Sequence, residues 1–302
     1  PFFFVVVPSK QSKPVKPVFG PFLDLPASLQ LKAIHIIRYF STLSPSMERA
    51  VVTCLFDKRM TPAVSVHIIE LIEYFHVTLP KSLSVSFAAA VSSAVVVATC
   101  LLSKGENVQL TLSVIQQLSL CIQRNVQAAN KGNDFLAMCS KVLPVALPTQ
   151  LLCKGLAPWP LLQFFNASVP KDHVSQQIIL PSEFTEILAS AVAFVALNGQ
   201  ESLKAVPGLI NAAESACLSA PIVLQQAIAL LVSNVQKNNP SSFAADCSAL
   251  TVILSQFKSL RSALLNPEIK ALVTSCSSLL KQSTTAAATE LLQTFTLLYE
   301  SS

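Results

Sequence analysis

The chain has 302 residues, of which 52% are hydrophobic and 12% charged, with a formal net charge of +5. The charged share is about half that of an ordinary soluble domain, so the chain reads either as a membrane protein or as an array of mostly buried helices. Its six glycines are too dispersed to cradle a phosphate, and no spacing typical of a zinc hydrolase or a nucleophile elbow occurs.

Residues 1–20 read as an extended N-terminal segment and linker. "PFFFVVV" is strongly apolar and favours aggregation if left exposed, so it is expected to pack on this chain or on a partner. "SKQSKPVKP" then reads as a solvated linker. Its Lys10, Lys13 and Lys16 are the only candidate contact for RNA or an acidic partner, because without them there is no electrostatic footprint for nucleic acid. The chain begins at Pro1, so a longer protein is expected. "PFFFVVVP" has no basic region before it, so no signal peptide is expected.

Residues 21–143 read as a first helical half. Leu29, Ala33, Ile36, Ile37 and Phe40 recur on one helical face. Ser44-Pro45 and Thr61-Pro62 each combine a capping hydroxyl with a proline at the first helical position. Met47, Ala50, Val51, Cys54 and Leu55 form the stripe after the first start signal. Val64, Ile68, Leu71, Ile72 and Phe75 form the stripe after the second. Further helices are predicted near 82–103, 106–129 and 133–143.

Residues 144–181 change texture. Pro144, Pro148, Pro158, Pro160, Pro170 and Pro181 punctuate the stretch, which predicts an irregular insertion between two halves. Within it, "APWPLLQFF" offers Trp159, Phe164 and Phe165 as an aromatic partner contact; the other reading is a lid packed on the chain's own core. Residues 182–302 read as a second half, with helices near 182–198, 201–219, 221–236, 241–259, 267–281 and 284–299. Asn266-Pro267-Glu268 opens one of them as cap, proline and acid.

No stretch alternates with period two, so the fold class is all-α. Short helices with one apolar stripe each must stack to bury it, which predicts an irregular α-solenoid of HEAT- or armadillo-like pairs. No fixed repeat period stands out, and an irregular helical bundle is the alternative. Two uncharged stretches, between Lys81 and Lys104 and between Glu214 and Lys237, are long enough to span a bilayer. The first is rich in serine and the second carries Pro221, Gln225 and Gln226, which favours buried helices over a polytopic membrane protein.

Eight cysteines without a C-x-x-C pair predict free thiols and a reducing compartment. The single sequon, Asn166-Ala167-Ser168, is a match of the kind chance supplies. Glu73-Tyr74-Phe75-His76 matches half of a di-iron helix motif, but that site needs a second copy. Glu70 and Glu73 lie opposite the Val64–Phe75 stripe, with His67 and His76 flanking it, which reads as a solvated polar face. No catalytic, cofactor-binding or metal-ligating residue is assigned, and no enzyme is expected.

"LPASLQLKAIHIIRYFSTLSPSMERAVVTCLFDKRMTPAVSVHIIELI", Leu25 to Ile72, resembles the start of the C-terminal helical region of the testis-expressed protein ten family. These proteins are HEAT-type scaffold subunits of the rixosome. The likeness rests on Leu25-Pro26-Ala27, Gln30, Leu43, Cys54, Arg59 and Ile69, with apolar residues matching between them. "LRSALLNPEI", Leu260 to Ile269, followed by a Ser/Thr-rich turn and a closing helix ending at Tyr299, is also similar; the stretch from Ser82 to about Ser259 is left unaligned. The resemblance implies a scaffold in the nucleus, nucleolus and nucleoplasm, serving pre-rRNA processing and large ribosomal subunit maturation. The partners it implies are a proline-rich scaffold, a WD-repeat protein, an endonuclease and a polynucleotide kinase, with no membrane and with direct RNA contact left open. Two other readings stand beside it: a membrane-embedded helical protein, and a generic HEAT adaptor in transport or signalling.

Overall fold

A computed structural model of the chain describes residues 20–37, 51–52, 54–74, 83–127, 132–169, 178, 180–198 and 208–299. The described residues contain helices, turns and short connections, and no strand. The fold class is therefore all-α, as the missing period-two pattern predicts. The segment "PFFFVVV", the three tail lysines and the Ser44-Pro45 start lie outside the described residues.

Helix α1 is Ala27–Ile37, preceded by a single turn, Gly20–Leu23. Its inward residues are Gln30, Ile34 and Ile37, whereas Leu29 and Ile36 are exposed. Of the face expected from Leu29, Ala33, Ile36, Ile37 and Phe40, Ile37 is buried and Ala33 packs against the core, Leu29 and Ile36 turn outward, and Phe40 lies outside the described residues. The cause is Gln30, whose Nε2 donates to the Phe22 and Leu23 carbonyls at 3.1 and 3.2 Å. Those carbonyls end the short turn, and the Phe22 carbonyl also accepts from the Leu25 N–H at 3.2 Å. A polar side chain is drawn inside where it meets them, and Ile34 and Ile37 follow it onto the buried side.

Arg59 ties this end together, with Asp24 at 2.7 Å and Asp57 at 2.9 Å. The Arg59 side chain holds the Asp57 carboxyl below its usual range, chiefly by their hydrogen bond. A depressed carboxylate contributes stability above its unfolded pKa and loses it as pH falls through the folded one. The groups are exposed enough that this contribution is small.

Helix α2 is Pro62–Glu73, and Val64, Ile68, Leu71 and Ile72 are buried as the stripe predicts. Thr61 has the extended backbone of a cap but its side chain makes no capping hydrogen bond. The start signal thus works through the backbone and the fixed φ of Pro62, not through the hydroxyl. Helix α3 is Leu83–Lys104. Helix α4, Val108–Ile122, runs directly into a π-turn at Gln123–Gln127. Gly105 and Asn107, both at positive φ, make the corner between α3 and α4. Helix α5 is Gly132–Cys139.

The stretch expected to be irregular holds helix α6, Pro158–Ser168. Its two prolines occupy the first and third helical positions. The N–H groups of a helix's first turn have no intrahelical acceptor, so prolines there remove nothing. Read along the sequence they look like breakers, but in place they only fix where the helix starts.

The rest of the chain forms α7 (Ser182–Leu197), α8 (Leu209–Ser219), α9 (Pro221–Lys237), α10 (Phe243–Gln256), α11 (Pro267–Thr274), α12 (Ser277–Gln282) and α13 (Ala286–Tyr299). The single helix expected over 267–281 breaks at Ser275. There the Ser275 hydroxyl donates to the Leu272 carbonyl at 2.6 Å and accepts from Gln236 Nε2 at 2.9 Å, a local bond that competes with helix continuation. Asn266 is a working side-chain cap, its Oδ1 accepting from the Glu268 N–H at 2.9 Å.

Packing joins helices one to three places apart in the chain: α1 on α2, α2 on α4, α3 on α4 and α5, α7 on α9, α9 on α10 and α11, and α10 on α13. Helix α6 touches α3, α4 and α5 on one side of the chain order and α7 and α8 on the other. Of α3, the span Phe87–Lys104 is long and apolar enough to cross a membrane, and 56% of it is buried in the fold. The second uncharged stretch does not form one rod, since α8 and α9 meet at 116° where Pro221 starts a new helix.

Candidate interaction surface

Trp159, Phe164 and Phe165, the expected aromatic contact, all lie on α6 and all are buried; Trp159 is 8% exposed and Phe165 wholly enclosed. Phe164 stacks at 5.9 Å on Phe135, which stacks at 5.5 Å on Phe87, while Phe165 lies 6.4 Å from Phe184. These rings join α3, α5, α6 and α7 into one core. The three aromatics therefore serve the interior rather than a partner. The proline-rich sequence hid this, because an aromatic cluster on a loop and the same cluster on a buried helix have one composition.

The sequon is inside the same helix. Asn166 Nδ2 donates to the Ala212 carbonyl of α8 at 2.8 Å, and Ala167 and Ser168 are buried. A glycan has no room there.

An outward-facing cleft lies elsewhere, between the start of α9 and the turn into α11. Pro221, Ile222, Gln225, Ala263, Asn266, Glu268 and Ile269 line it, and its volume is about 140 Å³, room for one apolar side chain. Ile222 is 45% exposed, and Leu265, next to Asn266, and Leu218, three residues before Pro221, are also exposed. Gln225 Nε2 donates to Glu268 Oε2 at 3.0 Å and gives one wall a fixed polar edge. The lining is mixed, with Pro221, Ile222, Ala263 and Ile269 apolar and Gln225, Asn266 and Glu268 polar. The sequence shows Asn266-Pro267-Glu268 as a helix start, but nothing local in it signals that α9 lies opposite.

Two further polar clusters among the described residues lie away from the cleft. Glu73 accepts from Asn125 Nδ2 at 2.7 Å and from Arg124 at 3.0 Å. This pins the π-turn to α2 and removes Glu73 from the solvated face it was expected to share with Glu70. Asp246 is buried on α10, with one carboxylate oxygen 3.4 Å from Asn234 Nδ2. It does not line the cleft. Among the described residues no group of three or more His, Cys, Asp or Glu side chains gathers as a metal site.

All eight cysteines are free, six buried and two, Cys100 and Cys153, half-buried. Burial pushes the Cys54 and Cys247 thiols up to about 11 and those of Cys121 and Cys139 up to about 12. Since the thiolate is the nucleophile, native protein is expected to alkylate at Cys100 and Cys153 alone, and denatured protein at all eight sites. Mass spectrometry after brief labelling reads both numbers, and a denatured count below eight that reductant restores contradicts the free-thiol assignment.

Comparison of the chain with protein-family models, with curated proteins and with solved structures gives no match.

Proposed function

We propose that the chain is a non-catalytic helical-repeat scaffold, an irregular α-solenoid of HEAT/armadillo-like pairs. Its role is as a subunit of a nuclear and nucleolar complex for pre-rRNA processing and large ribosomal subunit maturation. The observation that supports the scaffold reading is an all-helical fold in which each helix packs on others one to three places away around an apolar interior, as paired helices stacked on one another would. The choice of complex rests on the resemblance at Leu25–Ile72 and Leu260–Ile269. Two of its residues have structural work here: Gln30 clasps the first turn and Arg59 holds Asp24. The cleft at Ile222 is the surface we assign to a partner.

Affinity purification of the tagged protein from nuclear extract tests this reading. The expected companions are a proline-rich scaffold, a WD-repeat protein, an endonuclease and a polynucleotide kinase. Ile222→Asp is expected to leave the melting temperature within about 1 °C, as an exposed substitution should, and to reduce recovery of at least one companion several-fold. Recovery of transport or signalling factors instead points to a generic adaptor. A requirement for detergent points to the membrane reading, for which Phe87–Lys104 is the one favourable single helix among the described residues.

A further inference from the structure

The two walls of the cleft are held in different ways. One is the start of α9, which packs on α7 and α10 inside the fold. The other carries Ala263 and Asn266, which flank the end of a four-residue helical turn, Arg261–Leu264. The Leu264 carbonyl at that end cannot be paired by the chain that follows. Its helical partners three and four residues on are Pro267, which has no N–H, and Glu268, whose N–H goes to Asn266 Oδ1 at 2.9 Å. The carbonyl is met instead from 35 residues away, by the Tyr299 hydroxyl at the end of α13, which donates to it at 2.8 Å. Leu264 is 1% exposed and Tyr299 6%, so water does not stand in for either partner.

Tyr299 also reaches the far side of Pro267. The Lys270 ammonium of α11 lies 5.6 Å from the centre of its ring, and Phe295, one turn back along α13, packs on that ring at 4.9 Å. Burial pushes the Tyr299 phenol up to about 12, so the donor keeps its proton across the ordinary pH range. We propose that Tyr299 is the positioning residue of the cleft: its hydroxyl fixes the wall that carries Ala263 and Asn266, and that wall is set only while the last turn of α13 is docked. The consequence for partners rests on the reading of the cleft as a partner surface; the latch itself is a property of the isolated chain. What a partner senses through the cleft is thus the state of α13, an element that does not line it.

Hydrogen exchange on the whole chain, without companions, tests the latch. The Leu265 and Asn266 amides are bonded to the Arg261 and Ala263 carbonyls. In the unmutated protein they should open together with the last turn of α13, with the same dependence on denaturant. Tyr299→Phe keeps the ring and leaves the Leu264 carbonyl unpaired. Exchange at Leu265 and Asn266 should then rise about tenfold, the effect expected of an orphaned buried acceptor, while amides of α9 keep their rates. Gln293→Ala, at an exposed position of α13, should leave all these rates alone. Recovery of companions from nuclear extract is the second readout. Tyr299→Phe should lower it several-fold, and combining it with Ile222→Asp should cost no more than Ile222→Asp alone. Unchanged exchange at Leu265 and Asn266, or opening that the last turn of α13 does not share, overturns the latch. Faster exchange with full recovery in Tyr299→Phe, where Ile222→Asp does lose recovery, overturns its role in positioning the cleft. Full recovery in both variants removes the partner reading of the cleft, and the exchange rates then decide the latch.

Discussion

Phe164→Ala is expected to destabilise the isolated chain by about 3–5 kcal/mol, the range for deleting a buried aromatic ring. Phe164 is 1% exposed and bridges α6 to Phe135 of α5, which in turn contacts Phe87 of α3. Its loss opens a cavity where three helices meet, and none of them can close it without breaking another ring contact. Thermal unfolding should register a fall of roughly 5–15 °C for a chain of this size. Trp159→Ala should act in the same direction, because its ring is also buried. A variant that keeps its melting temperature yet loses companions on purification would return these aromatics to the surface and remove α6 from the core.

Enlarging a small residue on α7 should be nearly as damaging. Phe184, Thr185, Ile187–Ala193, Val195 and Ala196 are all buried, so α7 is enclosed almost all round, as helices inside large folds are. It contacts α6, α8, α9 and α10. Ala189, Ala191, Ala193 and Ala196 give those neighbours room to approach. Ala191→Leu adds three carbon atoms at a position with no exposed surface, and overpacking of this kind costs about 1–3 kcal/mol. Glu186→Ala, on the exposed edge of the same helix, should change stability by less than about 0.5 kcal/mol. Equal denaturant midpoints for Ala191→Leu and Glu186→Ala would mean that the helix has a free face.

The elements that sequence reading recovers are those whose signals are local. The α2 stripe, the Asn266 cap and the limits of α9 and α13 need only hydrophobic spacing and terminator chemistry. Several of the failures involve a partner that lies elsewhere in the chain. Gln30 turns inward where its amide reaches the Phe22 and Leu23 carbonyls, seven and eight residues back along the chain. Ser275 interrupts a helical pattern because Gln236 on α9 meets its hydroxyl. The prolines at 158 and 160 look disruptive until the residues around them are seen to start a helix. The cleft was illegible for the same reason, since its two walls are contributed by α9 and by the turn preceding α11.

Helix α6 also bears on how the molecule comes apart. In a strictly linear array each unit meets only its neighbours, so the ends can fray and re-form while the middle stays intact. A helix that touches α3, α4 and α5 as well as α7 and α8 breaks that independence. Opening on either side strips α6 of part of its enclosure, and losing α6 exposes the inner faces of both sides at once. Amide protons along its middle turns therefore exchange only through the largest openings, and a cut between residues 143 and 182 yields two pieces that each lack a wall rather than two smaller folded units.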